Sequence, residues 1–111
     1  GNAIVVISSE SLPLPAITLT EVLATSDLPG GVVNVLTGIE AEIAPWLASH
    51  QDVNAIDLEG TSNFVELEIQ AAQNLKRVIR KGDFARLGTK GSLNHITNLM
   101  EVKTVWHPKG N

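Results

Sequence analysis

The sequence has no cysteine among its 111 residues. This absence excludes disulfides, thiolate metal sites and cysteine nucleophiles together. The histidines His50, His95 and His107 are scattered without the spacing of metal ligands, so we expect no metal site. No apolar run approaches the roughly 18 residues of a membrane span, and the first residues form no basic signal-peptide pattern. We therefore expect a cytoplasmic protein with no membrane partner.

Excess positive charge is missing as well, since 12 acidic residues outnumber 8 basic ones and the formal net charge is −4. The basic side chains cluster between residues 76 and 90. In an acidic chain such a cluster is typical of a solvated loop with counter-charges, not of a nucleic-acid surface. We therefore expect no nucleic-acid partner.

Short apolar runs alternate with helical patterns along the whole chain. We predict strands near residues 3–7, 32–36, 54–58 and 76–79. The runs Ala3–Ile7 and Val32–Leu36 are nearly continuous, which is typical of strands covered on both faces. Because strands alternate with helices, we predict one α/β domain over residues 1–111, with a three-layer, mainly parallel sheet flanked by helices.

The intervals between these strands carry the signals of helices. Pro13 and Pro15 suit the first turn of a helix that ends near Asp27. In the next helix Pro45 predicts a start only just before it, because proline removes a backbone donor. Ser62 is a candidate cap for a third helix.

Residues 91–111 are predicted to form a C-terminal extension of one short helix, capped by Ser92, and one strand. Val102, Thr104 and Trp106 share a largely apolar face of that strand, because alternate residues of a strand point the same way. An apolar face and an open strand edge favour an interface with another subunit. The alternative is that this strand packs on the fourth strand of its own chain.

Ligands of open parallel sheets bind beyond the carboxyl ends of the strands. In this sequence those ends are Ser8–Ser11, Thr37–Gly38 and Glu59–Ser62. They define the edge at which a functional site is expected.

Five motifs occur in order between residue 1 and about residue 78: Gly1–Glu10, Leu28–Gly38, His50–Val53, Gly60–Thr61 and Asn74–Val78. Together they resemble motifs of the aldehyde dehydrogenase family. Residues Gly1–Glu10 are similar to the family's G-N-T-V-V-V-K-P-S-E, and Leu28–Gly38 to its L-P-P-G-V-V-N-V-V-T-G. His50–Val53, Gly60–Thr61 and Asn74–Val78 resemble H-P-x-V, F-T-G-S and N-L-K-R-V, in the same order and spacing. The resemblance implies a Rossmann-like sheet and NAD(P) as the family's cofactor.

By this resemblance a vestigial cofactor site lies at Glu10, Gly60 and Thr61, with Glu10 in the place of the ribose-binding glutamate. The family's lysine is replaced by Ile7, and a threonine is replaced by Glu59, which adds a negative charge. We therefore expect no tightly bound cofactor. The alternative role of Glu10 is that of a loop carboxylate, and that of Thr61 is a turn or capping residue.

No catalytic residue of the family is matched, because the nucleophilic cysteine is absent and Lys81 stands where the general-base glutamate is expected. Residues 101–110 resemble the C-terminal end of long bacterial aldehyde dehydrogenases whose second module is reduced. This favours a natural C-terminus, with any truncation at the N-terminus. Two functions stay open: an inert structural or oligomerisation module, or a domain that still binds NAD(P) and serves an active dehydrogenase module. The expected partner is a second copy or such a module.

Overall fold

Strands and helices alternate in the part of the chain that the computed structural model describes, residues 1–80, 82 and 93–108. The elements are β1 (Ile4–Ile7), α1 (Leu14–Ala24), β2 (Val33–Leu36), α2 (Glu40–Ser49), β3 (Ala55–Asp57), α3 (Phe64–Ala71), β4 (Arg77–Ile79) and α4 (Asn94–Thr97). A single 3₁₀ turn, Ala72–Asn74, follows α3. The structure therefore confirms the predicted α/β fold.

The four strands pair in two parallel ladders. β1 pairs with β2 from Ile4↔Val33 to Ile7↔Leu36, and β3 pairs with β4 from Ala55↔Arg77 to Asp57↔Ile79. Parallel pairing was predicted, but the described residues form two separate two-stranded ladders and not one continuous sheet.

Helices α2 and α3 form a layer that both ladders share. Their buried residues Ala44, Ala48 and Leu67 pack with Leu58, which directly follows β3. Leu67 and Ala71 lie four residues apart, so both occupy the buried face of α3. Ile7 of β1, Ile56 of β3 and Val78 of β4 pack against this cluster, which joins the two ladders.

The prediction that β1 and β2 are covered on both faces is wrong. Ile4, Val5 and Val6 are 49%, 45% and 40% exposed, and Leu36 is exposed as well. Helix α2 packs against β1, and α1 contacts β2. These helices cover too little of the ladder to bury strands that are apolar on both sides.

Helix α2 begins at Glu40, well before Pro45, so the predicted start just ahead of the proline is also wrong. A proline inside a helix removes one backbone hydrogen bond. Here the burial of Ala44 and Ala48 in the shared layer offsets that loss.

The C-terminal extension contains the predicted helix, as α4, and its expected cap Ser92 lies outside the described residues. The predicted strand over Val102, Thr104 and Trp106 is not formed: residues 101–108 are exposed and have no strand pairing. A strand requires a partner edge, and β4 does not pair with this segment. None of the helices in the described ranges has the length and hydrophobicity required to cross a membrane.

Candidate functional site

A cavity of about 1200 Å³ lies between the two ladders, and we call it the β1–β3 groove. It is lined by residues 1–11, which include β1, and by residues 52–61, which include β3. Glu10, Gly60 and Thr61, the predicted cofactor residues, all line its carboxyl-end mouth. The structure thus brings these three together. Thr37–Gly38, the other predicted edge, is not part of the lining.

The carboxylate of Glu10 forms a hydrogen bond within the fold. Its Oε1 accepts a hydrogen bond of 2.6 Å from the backbone N–H of Glu40, the first residue of α2. The first N–H groups of a helix have no partner inside the helix, and the helix dipole favours a negative charge there. Glu10 therefore caps α2 from a position far away in sequence.

Thr61 also forms hydrogen bonds within the fold. It is 8% exposed, and its Oγ1 accepts a 3.2 Å hydrogen bond from the N–H of Asn63, the residue that precedes α3. Its own N–H donates to the carbonyl of Leu58 at 3.4 Å. The hydroxyl and the N–H thus shape the turn into α3. A β-carbon added to Gly60 would meet no atom within 4 Å, so space remains beside that turn.

The mouth of the groove carries acidic side chains. Asp57 accepts a 2.8 Å hydrogen bond from the N–H of Glu59, and Glu59 accepts one of 3.0 Å from the N–H of Gly82. Glu10 and Glu40 line the same cavity. Arg77 is the cation among the described lining residues, and it belongs to β4 on the far side of β3.

The side chains at three of the positions that the resemblance assigns to the cofactor site are engaged within the fold. Ile7, at the position of the family's lysine, packs against the buried cluster and offers no hydrogen bond to a ribose. Glu10 and Thr61 already have intramolecular partners. In the described ranges no three metal-ligating side chains converge, so the acidic residues form no metal centre there.

Sequence analysis missed a buried polar cluster around Lys76, which is 8% exposed. Its Nζ donates to the carbonyl of His50 and, at 2.6 Å, to Oδ1 of Asn74. The Nδ2 of Asn74 in turn donates to the carbonyl of Gln51 at 3.1 Å. Burial lowers the pKa of Lys76. The sequence signal is the stretch Asn74-Leu75-Lys76. The cluster links the loop after α2 to the segment before β4.

The predicted interface residues Val102, Thr104 and Trp106 do not line the groove, although Leu99 and Glu101 do. Val102 and Trp106 are 85% and 88% exposed, among the most exposed apolar side chains described. Their role in an interface stays a prediction.

Parallel strands with intervening helices define a partial Rossmann-like α/β domain. The model of the aldehyde dehydrogenase family matches residues 1–82. The chain belongs to this family.

Curated relatives agree over the same stretch. The 3-sulfolactaldehyde dehydrogenase of Priestia aryabhattai is 38% identical over 78 residues, which is 70% of this chain and 16% of that protein. The omega-crystallin of Enteroctopus dofleini is 37% identical over 79 residues, 69% of this chain and 16% of that one. The NADP/NAD-dependent aldehyde dehydrogenase PuuC of Escherichia coli is 36% identical over 80 residues, 70% of this chain and 16% of that enzyme.

The chain therefore matches only 16% of the length of these relatives. No solved structure matches it significantly.

Proposed function

We propose that this chain is a catalytically inert aldehyde dehydrogenase domain that acts as a structural or oligomerisation module. The observation that carries the proposal is the contact of Glu10, whose Oε1 accepts a hydrogen bond from the first N–H group of α2. A ribose hydroxyl that donated to Oε1 of Glu10 would compete with this contact.

The residues needed for aldehyde oxidation support the same proposal. The chemistry requires a thiolate that forms a covalent adduct and a base that activates water for deacylation. These 111 residues contain no cysteine, and Lys81 occupies the expected place of the base.

One observation favours the second candidate, a domain that binds NAD(P) on behalf of an active dehydrogenase module. Glu10, Gly60 and Thr61 line one cavity at the carboxyl ends of β1 and β3, which is where nucleotides bind in such folds. The acidic mouth and the replaced lysine weigh against it. Loss of one charged hydrogen bond costs about 1.5–3 kcal/mol, or about one to two decades of affinity.

The experiment is a fluorescence titration of the pure chain with NADH and NADPH, combined with a turnover assay on aldehydes. We expect no saturable change at low micromolar nucleotide and no aldehyde-dependent NAD(P)H formation above buffer. The matched variant Glu59→Thr restores the family's residue and removes a negative charge from the mouth, so any residual affinity should rise. A dissociation constant in the low micromolar range for the wild type would favour the second candidate.

For the oligomerisation role, the support is the exposure of the apolar side chains of Val102 and Trp106. Large apolar patches seldom stay exposed on monomers, and buried aromatic residues supply much of the energy of an interface. The partner we propose is a second copy of the chain or a dehydrogenase module.

A further inference from the structure

We infer that the outer edge of β2, the edge opposite β1, is an interface at which two copies of the chain pair their β2 strands in antiparallel orientation. This surface is separate from segment 101–108. The inference therefore goes beyond the oligomerisation role proposed above and does not use the residues on which that role rests.

The first support is the direction of the backbone groups of β2. The carbonyls of Val32 and Leu36 accept hydrogen bonds of 2.8 and 2.9 Å from N–H groups at the start of β1 and just past its end. Backbone groups of a strand alternate between its two edges, so the even-numbered residues of β2 face β1. The N–H and C=O groups of Val33 and Val35 therefore point to the outer edge, where the described residues supply no hydrogen-bond partner.

The outer edge of β2 also lacks the features that usually protect an open strand. Free edges of monomeric proteins are commonly blocked by charged side chains, by proline or by a β-bulge. The stretch Gly30–Gly38 contains no charged residue and no proline, and its register with β1 is continuous from Val33 to Leu36. An edge of this kind is open to pairing with another strand.

Helix α1 adds apolar surface beside this edge. It contacts β2, and none of its residues is buried. The side chains of Leu14, Leu19 and Val22 are 73%, 54% and 59% exposed, and at 3.6 residues per turn they share one side of the helix, within about 140°. Glu21 is the single charged residue of α1. Exposed apolar surface next to an open strand edge is typical of a protein interface.

The edge is complementary to itself, as an interface with two-fold symmetry requires. In the antiparallel pair, Asn34 lies opposite Asn34 of the second copy, and Val33 of each copy lies opposite Val35 of the other. Opposite residues of the hydrogen-bonded type exchange both of their backbone bonds. Four hydrogen bonds thus satisfy the outward N–H and C=O groups of Val33 and Val35 in both copies.

Charge also favours a contact at this stretch. Each copy has a formal net charge of −4, so two copies repel one another over most approaches. Because Gly30–Gly38 carries no charge, two β2 strands can meet there without placing like charges opposite each other.

The absence of cysteine from the chain permits a direct test by disulfide trapping. Opposite residues of a non-hydrogen-bonded antiparallel pair have Cα atoms about 4.5 Å apart, a separation that suits a disulfide. Asn34→Cys should therefore form a disulfide-linked dimer under mild oxidation, measured by non-reducing electrophoresis. Gln73→Cys, at an exposed position in the turn after α3, is the control and should crosslink much more slowly. Circular dichroism confirms that both variants are folded.

Substitution of Val35 tests the backbone pairing itself. Val35→Pro removes an outward N–H group and leaves the bonds to β1 in place, because proline is tolerated on an edge strand where the missing donor faces solvent. Val35→Thr keeps the N–H group and is the matched control. Since each dimer of Val35→Pro lacks two donors, its dissociation constant should rise roughly tenfold or more, whereas that of Val35→Thr should change little. Light scattering over a concentration series measures both.

Amide hydrogen exchange of the ¹⁵N-labelled wild type needs no substitution. The N–H groups of Val33 and Val35 should exchange fast at low concentration and roughly tenfold more slowly once the dimer forms. The N–H groups of Asn34 and Leu36 face β1 and should stay protected at every concentration. A wild type that is monomeric at millimolar concentration, or a dimer in which Val33 and Val35 exchange freely, would overturn the inference.

Two further outcomes would also overturn it. Crosslinking of Asn34→Cys no faster than that of Gln73→Cys would exclude a two-fold axis at Asn34. A dimer that persists in Val35→Pro and is lost in Trp106→Ala would belong to segment 101–108. The opposite pattern, in which Val35→Pro abolishes the dimer and Trp106→Ala does not, would support the β2 interface and contradict the proposed one.

Discussion

The carboxylate of Glu10 and the backbone N–H of Glu40 are joined by a 2.6 Å hydrogen bond across 30 positions of sequence. The bond connects the loop that leaves β1 to the first turn of α2. A residue that the family resemblance assigns to a ribose is therefore used here to begin a helix. The same contact therefore bears both on cofactor binding at Glu10 and on the stability of α2.

Glu10→Ala is expected to lower the free energy of unfolding by about 0.5–2 kcal/mol, the usual cost of a lost helix cap. The reason is that the N–H of Glu40 loses its acceptor and α2 loses a favourable charge at its N-terminus. Urea unfolding followed by circular dichroism measures the difference. Glu21→Ala, at an exposed site on α1, is the matched control and should change stability little. Equal loss in the two variants would contradict a capping role.

Leu67→Ala is expected to cost about 2–5 kcal/mol, because Leu67 is 2% exposed and lies in the cluster shared by both ladders. Val65→Ala is the control on the same helix: Val65 is 58% exposed and should change stability by less than about 0.5 kcal/mol. Denaturant melts of the two variants, compared with the wild type, give the answer. If Leu67→Ala is as mild as Val65→Ala, the α2–α3 layer does not hold the ladders together.

The buried side chain of Lys76 is expected to make the free energy of unfolding depend on pH. Burial lowers its pKa in the folded chain below the ordinary value of 10.5, so the unfolded chain binds more protons in the interval between the two pKa values. The free energy of unfolding must therefore rise with pH through that interval. Lys76→Met removes this contribution, and the stability of the wild type relative to the variant should increase from pH 7.5 to pH 10.

Urea melts at the two pH values measure this change, and Lys103→Met, at an exposed position, supplies the control. A stability difference between wild type and Lys76→Met that is flat or falls with pH would count against a desolvated ammonium group.

Trp106→Ala is expected to weaken self-association if segment 101–108 forms the interface. Trp46→Ala is the matched control, because Trp46 is also exposed (76%) but lies on α2. Light scattering should show an oligomer for the wild type and for Trp46→Ala, and a shift toward monomer for Trp106→Ala at the same concentration. Circular dichroism confirms that each variant is folded. A monomeric wild type at high micromolar concentration would contradict an interface at segment 101–108.

The local elements of the fold were predictable because their signals are local. Apolar runs and turn residues located all four strands to within a few residues, as at Ala3–Ile7, which the structure gives as Ile4–Ile7. The carboxyl-end rule likewise placed Glu10 and Thr61 at one cavity. Periodicity and the rule for parallel sheets need no knowledge of the rest of the molecule.

What was not predictable depends on partners distant in sequence. The cap that Glu10 provides for α2, and the buried lysine at position 76, follow from tertiary proximity and have no periodic signal. The strand expected at Val102–Trp106 is not formed for the same reason. Alternation of polar and apolar residues predicts the two faces of a strand, but it does not show whether another strand is present to pair with it. The burial of β1 was overestimated. An apolar run indicates that a strand can be buried on both faces, but it does not show that other elements of the chain pack there.

The order of the elements bears on how the chain folds. β1, α1 and β2 follow one another directly, as do β3, α3 and β4, and each strand pairs within its own triplet. All ladder contacts thus close short loops of sequence, which lowers the entropy lost before the first native contacts form. The two triplets can nucleate independently, and docking them through α2 is left as the step of longest sequence separation. Substitutions in α2 are therefore expected to alter the final assembly of the chain without slowing the formation of either half.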